Sequence, residues 1–310
     1  MTPRSGVTRR HALVALGWLS GSGAALTQPA HRPVVVASKS DTEGALTGSM
    51  IALCLEDLGI PVERRLGLGP TLIVRSALLS GDVDIYPEYT GNGAFFTGSE
   101  TDPAWKDAAS AYETIRTADA ARGLVWLQRA PANNTWLIAV QGALARREKL
   151  ASMADFAGAV RRGLILLAAS TEFVESPAAL PSFEAAYAFA LPLDRIISLP
   201  GGDTAVTARA AAQGISGVNA GMVYGTDGAL GALDLTVMSD PKGAQIVYEV
   251  APVIRADALA RFPAIPGKLG PVFAELDAAT LRRLNARITV EGQIAEAVAR
   301  DHLRANGHIR

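Results

Sequence analysis

Short apolar runs alternate along this chain with longer stretches whose apolar residues recur at helical spacing. PVVVA (residues 33–37) is β-branched and continuous, the pattern of a buried parallel strand. Leu46, Met50, Ile51, Leu55 and Leu58 then fall on one helical face, after a polar SKSDTE segment. Asp41 or Thr42 can cap that helix, and Glu43 suits its first turn. VERRLGL (62–68) predicts a second strand, TLIVRSALLS (71–80) a second helix and VDIY (83–86) a third strand, with a turn expected at the end of the DVDIYPEYTG run. The β-α-β-α-β order predicts a parallel sheet with helices on its faces. Ligands of such sheets bind beyond the carboxyl ends of the strands, where both SKSDTE and YPEYTG lie.

The pattern continues to the end of the chain. Residues 101–122 read as helix, Trp136 to Val140 as strand, and a polar helical stretch runs to about Arg162. Ile165 to Ala169 is a strand leading into Ser170-Thr171-Glu172, and a loop with Pro177 and Pro181 precedes a helix through Phe183 to Phe189. Gly201-Gly202-Asp203-Thr204 opens the helix AVTARAAAQ, capped by Asp203 or Thr204. AGMVY (220–224) is a strand followed by GTDG, and Pro252 to Arg255 is short and β-like. Leu281, Leu284 and Ile288 mark one late helix; Ile294, Val298 and Leu303 mark the last, ended near Gly307. No internal repeat or linker-like boundary interrupts this order, so two lobes would be joined by strand-like crossings.

The amino terminus changes the picture of where the chain works. Arg9-Arg10 precedes ALVALGWL and then small and polar residues from Ser20 to Thr27, the layout of a secretory signal over residues 1–30. Its apolar core is shorter than the roughly 20 residues a bilayer span needs, and the paired arginines are compatible with twin-arginine export. A soluble, periplasmic mature protein is expected. Removing Arg4, Arg9 and Arg10, and no acid, takes 29 basic residues to 26 against an unchanged 30 acids, net −4. Without a Lys/Arg block, that balance argues against nucleic acid or an anionic membrane surface as partner. Cys54, the only cysteine, lies on the apolar helical face and reads as a buried structural thiol.

The inventory also excludes chemistry. The histidines are His11, His31, His302 and His308, so none is available between 32 and 301 for a Ser-His-Asp triad, a Cys-His pair or a zinc site. Neither GxxxxGK[ST] nor GxGxxG occurs. Asp84 and Glu88 are the nearest carboxylate pair for hydrolysis, although Asp84 in a strand and Glu88 ordering a turn is the simpler reading. No cofactor is expected.

Four polar and aromatic clusters follow strands or their edges: SKSDTE, YPEYTGN, APANNTW and YGTDG. Tyr86, Tyr89, Trp136 and Tyr224 in these clusters suit a quaternary ammonium, which has no N–H and is held by aromatic faces and carboxylates. Thr42, Asn134, Thr135 and Thr226 could serve the opposite end of such a molecule, as could a helix amino terminus.

At this point the chain resembles a known family. SKSDTEGALTG, LGPTLIVRSALLSGDVDIYPEYTGNGAFF, APANNTW, LAASTEF, GGDTAVT and VNAGMVYGTDG are similar to the solute-binding proteins of osmoprotectant ABC transporters, above all the enterobacterial type that binds glycine betaine weakly. The similarity spans about residues 33 to 307. It implies a type II periplasmic-binding-protein fold, two α/β lobes closing on ligand about a hinge. Lobe 1 would hold residues 33–133 plus 228–307 and lobe 2 residues 134–227, with crossings near Ala132 to Trp136 and Tyr224 to Gly228. The family's ligand positions carry to Tyr86 and Tyr89 in YPEYTG, to Asn134 and Trp136, and to Tyr224. With neighbouring polar groups the candidate site becomes Asp41, Thr42, Tyr86, Tyr89, Thr90, Asn134, Thr135, Trp136, Glu172, Tyr224 and Thr226. Two departures stand out: Glu175-Ser176-Pro177-Ala178 lacks the family's arginine, and Ala208 stands where high-affinity relatives often have tyrosine. Weak binding of glycine betaine, choline or a related solute is therefore expected, by a monomer that serves ABC permease subunits. A secreted carboxylate-dependent hydrolase or lyase on a similar fold is the alternative, and a sensory module would need the same lobes.

Overall fold

The computed structural model describes residues 32–199 and 204–310. The expected signal segment and the proposed cap Asp203 lie outside the described residues.

Three stretches of chain build two sheets. The first runs β1 (Val34–Lys39), α1 (Thr42–Asp57), β2 (Val62–Gly69), α2 (Thr71–Ser80), β3 (Ile85–Tyr89), α3 (Asn92–Thr97), α4 (Ala108–Ala120) and β4 (Leu124–Trp126). The second runs β5 (Trp136–Gln141), α5 (Gly142–Glu148), α6 (Met153–Arg161), β6 (Leu167–Ser170), α7 (Thr171–Glu175), α8 (Leu180–Tyr187), β7 (Ile196–Leu199), α9 (Thr204–Gln213), β8 (Ala220–Tyr224) and β9 (Leu235–Val237). The third is β10 (Val250–Arg255), α10 (Ala256–Arg261), α11 (Ile265–Ala274), α12 (Ala278–Thr289) and α13 (Ala295–Ala305).

One sheet has the order β2-β1-β3-β10-β4 and the other β7-β6-β8-β5-β9. Each is a parallel core with an antiparallel insertion: β10 runs against β3 and β4, and β5 runs against β8 and β9. The wholly parallel sheet expected from the first elements is thus mixed. β1 is buried along its whole length, as a continuous β-branched run in a central strand should be. Edge strand β2 instead alternates, with Glu63 and Arg65 turned to solvent. Helix α1 lies close on β1, where a Cβ at Gly48 would come within 2.7 Å of the Ser38 Cβ. Separate apolar cores back the sheets, one around Leu46, Met50, Trp105 and Phe273, the other around Phe156, Phe173, Phe183 and Met222. Cys54 is buried in the first, its thiol pushed up to about 12 by that burial.

Two departures from the sequence pattern matter for the site. Strand β3 starts and ends later than VDIY, so YPEY is strand rather than turn. Proline is tolerated there because Pro87 pairs opposite Pro252, and neither residue has an N–H to lose. The second crossing was expected near Tyr224 to Gly228, yet β9 beyond it pairs with β5 in the second sheet. Residues 225–228 only touch the other half: Gly225 O accepts from Arg282 Nε, and a Cβ at Gly228 would meet the α12 backbone at Ala286. The chain returns around Tyr248, where Asn133 and Glu249 form an antiparallel bridge and Asn134 N donates to Tyr248 O at 2.8 Å. The two crossings therefore run side by side as a hydrogen-bonded pair.

Candidate ligand-binding site

Parallel strands in both sheets end at a shared cleft of about 550 Å³. Asp41 and Thr42 enter it from the start of α1, where the Asp41 carboxylate caps Gly44 N at 2.7 Å. Tyr89 stands at the end of β3, Tyr224 at the end of β8 and Thr226 just beyond it. Trp136 begins β5 opposite Tyr224, with Asn134 two residues earlier in the crossing, and Glu172 lies in the first turn of α7. All these candidates line the cleft.

Tyr86, Thr90 and Thr135 do not. Tyr86 is three residues below the end of its strand, roughly 10 Å from the mouth. It is fully buried and donates to Glu88 Oε2 at 2.6 Å. Thr90 donates to Val247 O and receives Glu249 N, and Thr135 donates to Ile246 O at 2.7 Å. These threonines stitch β3 and the first crossing to the return crossing, which positions the cleft without facing it.

Several cleft residues escaped the sequence reading. Glu43, read only as a favourable first-turn acid, is a buried hub. Its carboxyl receives the Tyr89 hydroxyl at 2.7 Å, the Thr226 hydroxyl at 2.5 Å and Asn285 Nδ2 at 2.8 Å. Burial pushes its pKa up to about 7 against the lowering effect of those bonds, with Asp41 adding to the rise. Asn285 was hidden because its helix α12 reads as an amphipathic core element. Lys39 also reaches the cleft, but its ammonium is held by Glu88 at 2.6 Å and lies 4.7 Å from the Tyr89 ring centre. Tyr248 sits in a stretch with no strand or helix pattern, so nothing local marked it.

The walls are aromatic and acidic. Trp136 packs against Tyr248 at 5.7 Å between ring centres and meets Phe173 edge-on at 6.1 Å. Asp41, Glu43, Glu172, Asp227 and Lys39 make up the charged lining, and no arginine occurs among the described lining residues. Desolvation raises the phenol pKa of Tyr224 and Tyr248, so both rings stay neutral. Ala208 is buried against Ala139 and Val223 and offers no ring. Asp84 and Glu88 do not form a working pair. Asp84 holds Val35 N and Arg32, whereas Glu88 holds Lys39, Tyr86 and Asn92. Among the described residues, no cluster of His, Cys, Asp and Glu could hold a metal ion, and no helix is long and apolar enough to cross a membrane.

Two α/β halves, linked by paired crossings and facing one cleft, define a periplasmic-binding-protein fold. The chain belongs to the family described as the substrate binding domain of ABC-type glycine betaine transport systems, which matches residues 32–305. It is 53% identical to the glycine betaine-binding protein YehZ of Escherichia coli K12 over 277 residues, 89% of this chain and 91% of that protein. A glycine-betaine-binding protein of Pseudomonas aeruginosa is 32% identical, covering 87% and 86% of the two chains. The solved structure of ligand-free E. coli YehZ superimposes with a TM-score of 0.74 at 52% identity, covering 89% of this chain and 99% of the other.

Proposed function

We propose that the cleft binds glycine betaine or a closely related quaternary ammonium such as choline, with low affinity. In this reading the mature protein works in the periplasm as a monomer and hands the solute to the membrane subunits of an ABC transporter. The observation that carries it is the lining itself: the rings of Tyr89, Trp136, Tyr224 and Tyr248 stand among four carboxylates, with no arginine. Aromatic faces and acids attract a permanently charged head that has no N–H to donate. Low affinity is supported by the alanine at 208 and by the engagement of Lys39, the one Lys or Arg among the described lining residues, with Glu88. Closure would add contacts from both sheets, which is how a ligand shifts such an equilibrium.

Calorimetric titration of the mature protein with glycine betaine, choline, carnitine, proline and taurine tests this. Binding of the quaternary ammonium compounds alone, weaker than micromolar, is expected. Sub-micromolar glycine betaine affinity would overturn the low-affinity part, and failure to bind any quaternary ammonium would overturn the ligand class. Recovery of the solute unchanged after denaturation is expected. Its chemical conversion would favour the hydrolase alternative, against which the separate engagement of Asp84 and Glu88 already speaks.

A further inference from the structure

We propose that Glu43 is a neutral carboxylic acid while the cleft is empty, its proton completing a chain of hydrogen bonds through Thr226 to Asn134, and that solute binding is coupled to release of this proton. The coupling rests on the quaternary ammonium reading above; the placement of the proton does not.

A count of protons carries the placement. The Thr226 hydroxyl lies 2.5 Å from Glu43 Oε2 and 2.6 Å from Asn134 Oδ1, and a hydroxyl has one proton to give. Asn134 Oδ1 can only accept, and Thr226 N, which donates to it at 3.3 Å, sets the orientation of that amide. Were Glu43 ionised, its Oε2 could only accept as well. Two acceptors would then compete for one proton, and one close oxygen pair would have nothing between its members. Asn285 cannot supply what is missing. Its Nδ2 donates to Glu43 Oε2 at 2.8 Å and to Thr226 O at 2.9 Å, which uses both of its N–H groups. A proton on Glu43 Oε2 removes the conflict: the acid donates to Thr226 Oγ1, and Thr226 donates to Asn134 Oδ1. The bond between Glu43 and Thr226 thus runs opposite to its direction in the ionised form, while Tyr89 donates to Glu43 Oε1 in both.

The surroundings favour the neutral form. Glu43 is buried, and none of its three side-chain partners is a cation. Asp41, on the same helix, takes Gly44 N and adds negative charge. From β1 comes Lys39, already paired with Glu88 of β3. Asp227 beyond β8 and Glu172 of α7 add acids to the same cleft. On α12, Arg282 donates to Gly225 O. Charged groups of α11 and α13 meet α1 at its far end, where Lys268 holds Asp57 and Arg64 joins Glu56 to Glu296. Burial, with Asp41 adding to it, pushes the Glu43 pKa up to about 7.

Glu43 lines the cleft, so a cation lodged there favours its ionised form. The solute then binds the ionised protein more tightly, and by reciprocity its binding expels the proton. Ionisation also leaves the Thr226 hydroxyl with only one of its two partners. The chain from α1 to the first crossing therefore loses a bond as the solute arrives.

The ligand-free wild type is tested first, by following the carboxyl carbon shift of Glu43 in an NMR pH titration. A midpoint of about 7 is expected; the ordinary 4.5 would overturn the placement of the proton. Calorimetry in buffers of different ionisation enthalpy then counts the protons exchanged on binding choline and glycine betaine, neither of which titrates near neutrality. Release of part of a proton is expected, more for choline, because the carboxylate of glycine betaine opposes the effect of its ammonium. If choline lowers the Glu43 pKa by about one unit, its affinity should be about fivefold higher at about pH 8 than at about pH 6. Glu43→Gln, which cannot ionise, should bind without proton release and with a pH-independent affinity. Release that persists in Glu43→Gln, or wild-type binding without any proton exchange, would overturn the coupling. A wild type that binds neither compound would overturn the ligand class and the coupling with it, while the carboxyl titration still decides where the proton sits.

Discussion

The two ends of the cleft are built on different physical plans. At the first sheet two buried carboxyls gather the polar groups: Glu88 holds Lys39, Tyr86 and Asn92, while Glu43 holds Tyr89, Thr226 and Asn285. Both carboxyls are buried, and each is reached by residues distant in sequence. At the second sheet Trp136 and Tyr224 face each other across the β5–β8 pair, Trp136 resting on Phe173 of α7, and Glu172 is exposed. A wall tied together by two such networks is pre-shaped, because each carboxyl fixes several side chains at once. A wall of rings gains most of its polar interaction only when ligand arrives. The first half thus behaves as a template and the second as the responsive face.

The comparison breaks most easily at the template. Glu88→Ala leaves the Lys39 ammonium buried without its partner, and a loss of about 3–5 kcal/mol in denaturant unfolding is expected. A loss below about 1 kcal/mol would mean that the first wall is not held by this network. Glu43 gives the next largest effect, through pH. Its pKa in the folded protein, about 7, lies above the ordinary 4.5. The folded state therefore holds the proton more tightly, and Glu43 lowers stability as pH rises from about 4.5 to about 7. Above that window its contribution is constant. Glu43→Gln should remove up to about 3 kcal/mol of this pH dependence, read as the difference between the two proteins' stability profiles; parallel profiles would refute it. On the responsive face, Trp136→Leu should weaken a quaternary ammonium by about 0.5–2 kcal/mol in calorimetry. Tyr86→Phe sharpens the contrast with the smallest effect on binding. It removes a donor from Glu88 and should lower the unfolding free energy, yet leave solute affinity within experimental error, because Tyr86 does not reach the cleft. A loss of affinity matching that of Trp136→Leu would place Tyr86 at the ligand after all.

Most strands and helices were legible because their signals are local. The β-branched run of β1, the Asp41 cap, and the apolar spacing of α1, α12 and α13 each lie within one element. The shifts came where a partner from far along the chain intervened. The turn read into YPEY became strand because β10, more than 150 residues later, pairs with it. Strand β9 was missed since only three residues of modest burial mark it, and pairing with β5 makes it a strand. In the cleft, Tyr89, Trp136 and Tyr224 were legible as aromatic residues at strand ends. Tyr86 shares the motif but not the location, because depth along a strand is invisible until its end is known.

By itself, then, the order of residues determined the alternating α/β elements, the polar clusters at strand ends and the scarcity of histidine and cysteine. Those properties depend on neighbours a few positions apart. Only the tertiary structure decided that Glu43 would be buried under Tyr89, Thr226 and Asn285, that Lys39 would be held by Glu88, and that Tyr248 would face the cleft with its hydroxyl unpaired. Burial and hydrogen-bond satisfaction are set by groups brought together from opposite ends of the chain, and no window along the sequence contains both partners.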